Sequence, residues 1–207
     1  MDTRSRPALD ERTPPLVLPP IPRVRRTLPS AGLYSPMNAA KLVRRGDRYT
    51  ASVRTLVLAL GNPLLGDDAV GLEVARVLRE RLAGRPDTEL VEDEAGGIQL
   101  MERMTGFDRA IVVDAILSGA APGTIHRLGP GEIPTQRTAV AHGIDLPRAL
   151  ELGRSLGLPM PGEVRVVAIE AESVLEFREF MTPAVAAAVL PAVAAVLEEL
   201  DAAAVRG

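Results

Sequence analysis

Three aliphatic runs, set apart by stretches of helical periodicity, constrain this chain more than any other feature. "RAIVVDAI" (Arg109–Ile116) is the strongest; "TLVLAL" (Thr55–Leu60) and "EVRVVAIEAE" (Glu163–Glu172) accompany it. Apolar runs of this length, bounded by turn residues, are expected of strands buried on both faces of a sheet. After the first run, Val70, Val74, Val77, Leu78 and Leu82 recur at helical spacing, which predicts a helix from Asp67 to Ala83. "TELVED" (Thr88–Asp93) reads as a further strand, "IQLMERM" as a short helix and "GTIHRLG" (Gly123–Gly129) as a strand between Pro-Gly turns. "DLPRALELGRSLG" reads as a helix with Asp145 as its N-cap. In the closing helix Thr182 is the expected cap, Pro183 takes the first position and Pro191 is expected to kink it. Alternating strands and helices predict a three-layer α/β sandwich: a mainly parallel twisted sheet of about five strands, with helices on both faces.

Composition fits that core. Apolar residues make up 46% of the chain but aromatics only 2%, so Leu, Val, Ile and Ala must fill the interior. Cysteine is absent, which excludes disulfides, thiolate zinc sites and a thiol nucleophile. No uninterrupted apolar run reaches the roughly 18 residues of a membrane span, and the start lacks the apolar core of a signal peptide. A cytoplasmic protein with no membrane partner is therefore expected. Eight of the eighteen prolines fall in residues 1–36, so residues 1–50 are read as a Pro/Arg-rich, unpacked extension and 51–207 as the α/β domain. Met37 is a candidate for the biological start. Residues 1–54 hold eleven Lys/Arg against four Asp/Glu, on an otherwise acidic chain. Those arginines lie among prolines, without a helical stripe or interleaved aromatics, so no nucleic-acid partner is expected.

In open α/β sheets, ligands gather beyond the carboxyl ends of the strands. The polar residues there are Asn62, Asp67 and Asp68, then Asp93 and Glu94, Asp114, His142, and finally Glu170 and Glu172. Each also has a purely structural role open to it. Asp67 is expected to cap the helix it precedes, and Asp68 to complement the helix dipole. His126, in the middle of "TIHRL", is read as a structural or surface residue. Asp114, after "AIVV" on a central strand, needs a partner, a hydrogen bond or a metal to offset desolvation. His142 lies in a Gly-flanked loop, where functional residues concentrate. Asp68, Asp114 and His142 together make a mixed carboxylate–imidazole set suited to a first-row divalent metal.

Several chemistries are excluded. In "GNPLLGDDAVG" (Gly61–Gly71), Gly66 is followed by two acids rather than the Lys-Ser/Thr of a phosphate loop. Gly61, Gly66 and Gly71 have the wrong spacing for a dinucleotide fingerprint. A phosphoacceptor receiver domain resembles the chain in its acid pair and strand-end Asp, but uses a late lysine; the only lysine here is Lys41. The Gly-x-Ser-x-Gly elbow and the His-Glu-x-x-His motif are both missing.

Taken together, "LALGNPLLGDDAVG", "IVVDAILSGAAPGTIHRL", "AHGIDLPRAL" and "VVAIEAESVLEF…MTPAV" resemble the hydrogenase maturation endopeptidases, over about Thr55 to Leu200. Asp68 stands where some members have Glu, and Ala69 where many have Gly. The resemblance implies an endopeptidase that trims a C-terminal extension from the large-subunit precursor of a nickel–iron hydrogenase. It places the metal-contacting, catalytic set on Asp68, Asp114 and His142. It also implies that nickel arrives with the precursor rather than as a resident cofactor, and that no organic cofactor is needed. The rim around "EDEAGG" (Glu92–Gly97) and "EAESVLEF" would then contact the precursor. The competing readings are a Mg-binding or phosphoacceptor module without proteolysis, and a chaperone that binds the precursor without cutting it.

Overall fold

The computed structural model describes residues 42–45, 48–51, 53–94, 97–133 and 146–204. Strands β1 (Leu42–Arg45) and β2 (Arg48–Ala51) pair antiparallel in a two-stranded sheet. Sequence reading assigns no element there. The second sheet runs in the order β4-β3-β5-β7-β6 and contains β3 (Thr55–Leu60), β4 (Thr88–Asp93), β5 (Arg109–Ile116), β6 (Ile125–Leu128) and β7 (Glu163–Glu170). All its neighbours pair parallel except β6, which is antiparallel to β7. The link from β5 to β6 is too short for the crossover that a parallel pairing needs.

Strand pleating sorts the apolar runs into two cores. Val57, Ala59, Ile111, Val113, Val167 and Ile169 face a layer formed by α1 (Val70–Arg81) and α4 (Pro183–Ala204). Leu56, Leu58, Leu60, Ala110, Val112, Val164 and Val166 face α2 (Ile98–Met104) and α3 (Leu146–Ser155). Every residue of β3 is buried, which is why that strand reads as apolar throughout rather than alternating. The expected three-layer α/β sandwich is thus the observed one. Pro183 opens α4 as expected, and the helix continues through Pro191. Pro183–Ala202 is long and apolar enough to cross a membrane by length and composition, yet Val185, Ala188, Ala192, Val193 and Val196 are core residues.

The edges of the sheet are β4 and β6. Glu89 and Glu92 of β4 are exposed, and Arg127 of the four-residue β6 ion-pairs with Glu198.

The order of the strands positions the site. From β3 the chain passes through α1, on one face, to β4; it then returns through α2, on the other face, to β5 on the far side of β3. The connections therefore diverge between β3 and β5, and a crevice opens beyond the carboxyl ends of those two strands. Pairing of β3 with β5 stops at Ala59–Val113, so Asp114 is the first residue of β5 past that pairing. Gly71 lets α1 start close against this point. A Cβ there would collide with the Leu60 carbonyl oxygen and lie 2.8 Å from that of Val113. Both are backbone atoms that the sheet holds in place. Gly71→Ala is therefore expected to cost about 3 kcal/mol through overpacking, seen as a lower denaturation midpoint at unchanged slope. A loss below about 0.5 kcal/mol, the range of an ordinary surface substitution, would contradict this close approach.

Candidate functional site

The turn from β3 into α1 supplies the first wall of the crevice. Gly61 continues from β3, its N–H donating to the Asp93 carbonyl at 3.3 Å. A side chain at Gly61 would run into the Asp68 carbonyl oxygen, so glycine is what lets this turn fold back on the strand end. Leu65 N–H donates to the Asn62 carbonyl at 3.2 Å, and Asn62 N–H donates to Asp68 Oδ2 at 3.0 Å. The Asn62 side chain is spent locally, accepting from Leu64 N–H at 3.0 Å. Asp68 is half-buried, in a 3₁₀ turn spanning Gly66–Ala69. The helix expected from Asp67 is thus two pieces, that turn and then α1.

Asp67 is a correction to the sequence reading. It makes no side-chain cap on the helix it precedes. Its carboxylate is 2% exposed and accepts three hydrogen bonds from the far end of the chain. Thr182 N–H donates to Oδ1 at 2.6 Å, while Thr182 Oγ1 and Glu172 N–H each donate to Oδ2 at 3.0 Å. Thr182 does start α4, its carbonyl accepting from Ala186 N–H, but its hydroxyl serves Asp67. Gly66, at φ +55°, sits so close to Arg178 that a Cβ would be 2.9 Å from the Arg178 Cβ. Its N–H donates to the Arg178 carbonyl at 3.1 Å. Sequence reading missed this junction because the one local signal, an acid before a helix, is also that of a cap.

The second wall is Asp114. It pairs in register with Ala168 of β7, which pairs in turn with His126 of β6. Its Oδ1 accepts from Ala115 N–H at 2.8 Å. Burial, reinforced by the nearby negative charge of Asp68, pushes the Asp114 carboxyl up to about 8, against the hydrogen bond from Ala115. Two acids from separate segments therefore meet at the crevice in an arrangement that disfavours full ionisation of both. A divalent cation would remove that conflict by neutralising them together. His142, the third expected member, lies outside the described residues, as does Asp145. Among the described residues, no group of three His, Cys, Asp or Glu side chains converges as a metal site.

The other strand-end acids are otherwise engaged or solvated. Asp93 accepts from Arg103 Nε at 2.6 Å, Glu92 ion-pairs with Arg79, and Glu94 and Glu172 are exposed. Glu170 is buried and built into the scaffold: its Oε1 accepts from Ser118 and Gly119 N–H, each at 2.8 Å, and its Oε2 from Ser118 Oγ at 2.6 Å. Burial raises its pKa, but these hydrogen bonds outweigh burial and hold it below the usual carboxylate range. His126 Nε2 lies 3.3 Å from Glu170 Oε2, within ion-pair distance but outside hydrogen-bond geometry.

Asp67→Ala strips three donors of their acceptor and is expected to cost about 3 kcal/mol, measured by urea denaturation. A second expectation follows from Asp114. Its carboxyl holds a proton in the folded state that the unfolded chain releases from about pH 4 upward. Folding then binds the extra proton, so stability falls as pH rises toward 8. In metal-free protein, Asp114→Asn should therefore raise the thermal midpoint at pH 8, by a margin that shrinks toward pH 4. A margin constant across that range would show that the site does not retain the proton.

A family model described as hydrogenase maturation protease matches residues 72–199, a span that includes Asp114 and His142 and begins just after Asp68. The hydrogenase 2 maturation protease of Escherichia coli is 34% identical over 151 residues, covering 72% of this chain and 91% of that protein. Among solved structures, the hydrogenase maturating endopeptidase HybD from E. coli is 30% identical with a TM-score of 0.59, covering 72% of this chain and 93% of that one. The [NiFe] hydrogenase maturation protease HybD from Thermococcus kodakarensis is 26% identical with a TM-score of 0.55, covering 71% and 98%. With the fold shared and most of each relative's length covered, this chain belongs to the hydrogenase maturation proteases.

Proposed function

We propose that the protein removes a C-terminal extension from the nickel-loaded large-subunit precursor of a nickel–iron hydrogenase. Asp68, Asp114 and His142 would contact the nickel that the precursor carries. The observation that carries this reading is the pairing of Asp68 and Asp114 at the crevice between β3 and β5. Burial and the charge of Asp68 push the Asp114 carboxyl up to about 8, a conflict between two acids that a divalent cation between them would relieve. Family membership supports proteolysis, and the donor set supports recognition of a metal that travels with the substrate.

In this scheme the metal reports that the precursor is ready, and docking onto it places the scissile peptide beside the two carboxylates. Cysteine is absent and no serine elbow is present, so water is the nucleophile. Its oxygen bonds to the carbonyl carbon, the C–N bond breaks, and the water's protons end on the new amine and carboxyl groups. Asp114, its carboxyl pushed up to about 8, would in its ionised form take a proton from that water, since a carboxyl near neutrality suits general base work. Residues 51–207 form the peptidase domain in this reading, acting in the cytoplasm.

The test uses the full chain with nickel-loaded and nickel-free precursor, and mass spectrometry of the released peptide. Release is expected only from the nickel-loaded form. Asp68→Ala, Asp114→Ala and His142→Ala should each lose at least about 100-fold in rate, more than loss of a supporting partner of a ligand costs. Equal release from both precursor forms, or full activity in all three variants, would refute the nickel-docking model. Binding of nickel-loaded precursor without peptide release would identify a chaperone instead.

A further inference from the structure

The strap that joins β7 to α4, residues 171–182, presents several large apolar side chains to solvent close together in sequence. Six consecutive residues, Leu175–Phe180, are exposed, and among them Leu175 is 76%, Phe177 82% and Phe180 76% exposed. The chain has only three phenylalanines, and two of them stand here in solvent while aliphatic residues fill the core. Leu64, 62% exposed, joins them across a main-chain bridge. Arg178 N–H donates to the Leu64 carbonyl at 3.3 Å, and Gly66 N–H to the Arg178 carbonyl at 3.1 Å. All four apolar side chains thus lie within three residues of one junction. Single exposed apolar residues are ordinary, but a cluster of large ones marks an interaction surface.

The position of the cluster identifies its occupant. Both ends of the strap are clipped by one buried carboxylate: Glu172 N–H and Thr182 N–H both donate to Asp67. Asp67 adjoins Asp68 in the turn that forms one wall of the crevice. The strap is therefore tied at both ends, and at Arg178, to the same turn that carries Asp68, on the side of the molecule where the polypeptide substrate of a protease has to lie. We infer that Leu64, Leu175, Phe177 and Phe180 form the docking surface for an apolar segment of the hydrogenase large-subunit precursor, seated beside the peptide to be cut. This rests on the proposed function and refines it. The sequence expectation put the contact on "EAESVLEF" and "EDEAGG"; Leu175 and Phe177 of the first segment are kept, joined by Phe180 and, from the glycine turn, Leu64. Aromatic anchors beside a site are where binding energy concentrates.

The test compares the wild-type full chain with Phe177→Ser/Phe180→Ser, using nickel-loaded precursor as substrate. Both side chains are solvent-exposed, so the thermal midpoint should not move. KM should rise by about tenfold or more, equivalent to one or two lost anchors, with kcat within about twofold, the signature of lost uniform binding. Calorimetric titration with Ni²⁺ alone should match wild type. An unchanged KM would overturn the assignment. So would a wild-type dimer in sedimentation that the double variant dissolves with no change in KM, because the occupant would then be a second copy of the chain. Asp114→Ala, run in parallel, separates the two readings. If it cleaves normally while the double variant loses affinity, the metal-site reading fails and the docking surface stands.

Discussion

The carboxylate of Asp67 is the junction on which this end of the molecule depends. It is withdrawn from solvent and accepts hydrogen bonds from residues 105 and 115 positions further along the chain. A buried carboxylate is tolerated when donors surround it, and backbone donors in a loop are tolerated when an acceptor reaches them. Asp67 meets both needs at once. The glycine turn after β3, the strap after β7 and the start of α4 are fixed relative to one another by one side chain. Asp68, the next residue, takes its place at the crevice because its neighbour is anchored.

Asp114 shows the opposite economy. It lies past the last β3–β5 pair, on the strand that forms the middle of the sheet, and its carboxyl is pushed up by burial and by Asp68. Glu170, more deeply buried, is pushed down because Ser118 and Gly119 surround it with donors. The contrast is physical: one acid has its charge satisfied by hydrogen bonds within the fold, while the other faces a second acid and accepts from the N–H of its own neighbour, Ala115. Perturbed carboxyls of the second kind gather at functional clefts.

Sequence shows one of these roles and hides the other. The bounds of β3, β4 and β5 coincide with "TLVLAL", "TELVED" and "RAIVVDAI" because turn residues punctuate each run. Asp114 stands out in sequence because an acid inside an aliphatic run has no bland local explanation. Asp67 has one, as a helix cap, and its partners lie too far along the chain for spacing to reveal them. The strand pair Leu42–Arg45 and Arg48–Ala51 is hidden because "LVRRGDRYTA" is basic and short, with little apolar alternation to mark a strand. Phe177 lies in a segment that sequence reading assigns to the rim, but its link to the glycine turn, through the main chain of Arg178 to Leu64 and Gly66, spans more than a hundred residues and leaves no local signal.

The edges of the sheet carry one further consequence. On β4, Glu89 and Glu92 point charge into solvent, and on the other side β6 is only four residues long with a charged Arg127. Short, charged edges discourage a foreign strand from adding itself to the ladder. Many peptide-binding proteins hold their ligands by extending a sheet in this way. This molecule is guarded against it, so a partner would have to be recognised by side chains, and under the proposed function those lie at the carboxyl end of the sheet. Selectivity would then be read from the shape and chemistry of a folded partner rather than from the backbone of any extended peptide that drifts past.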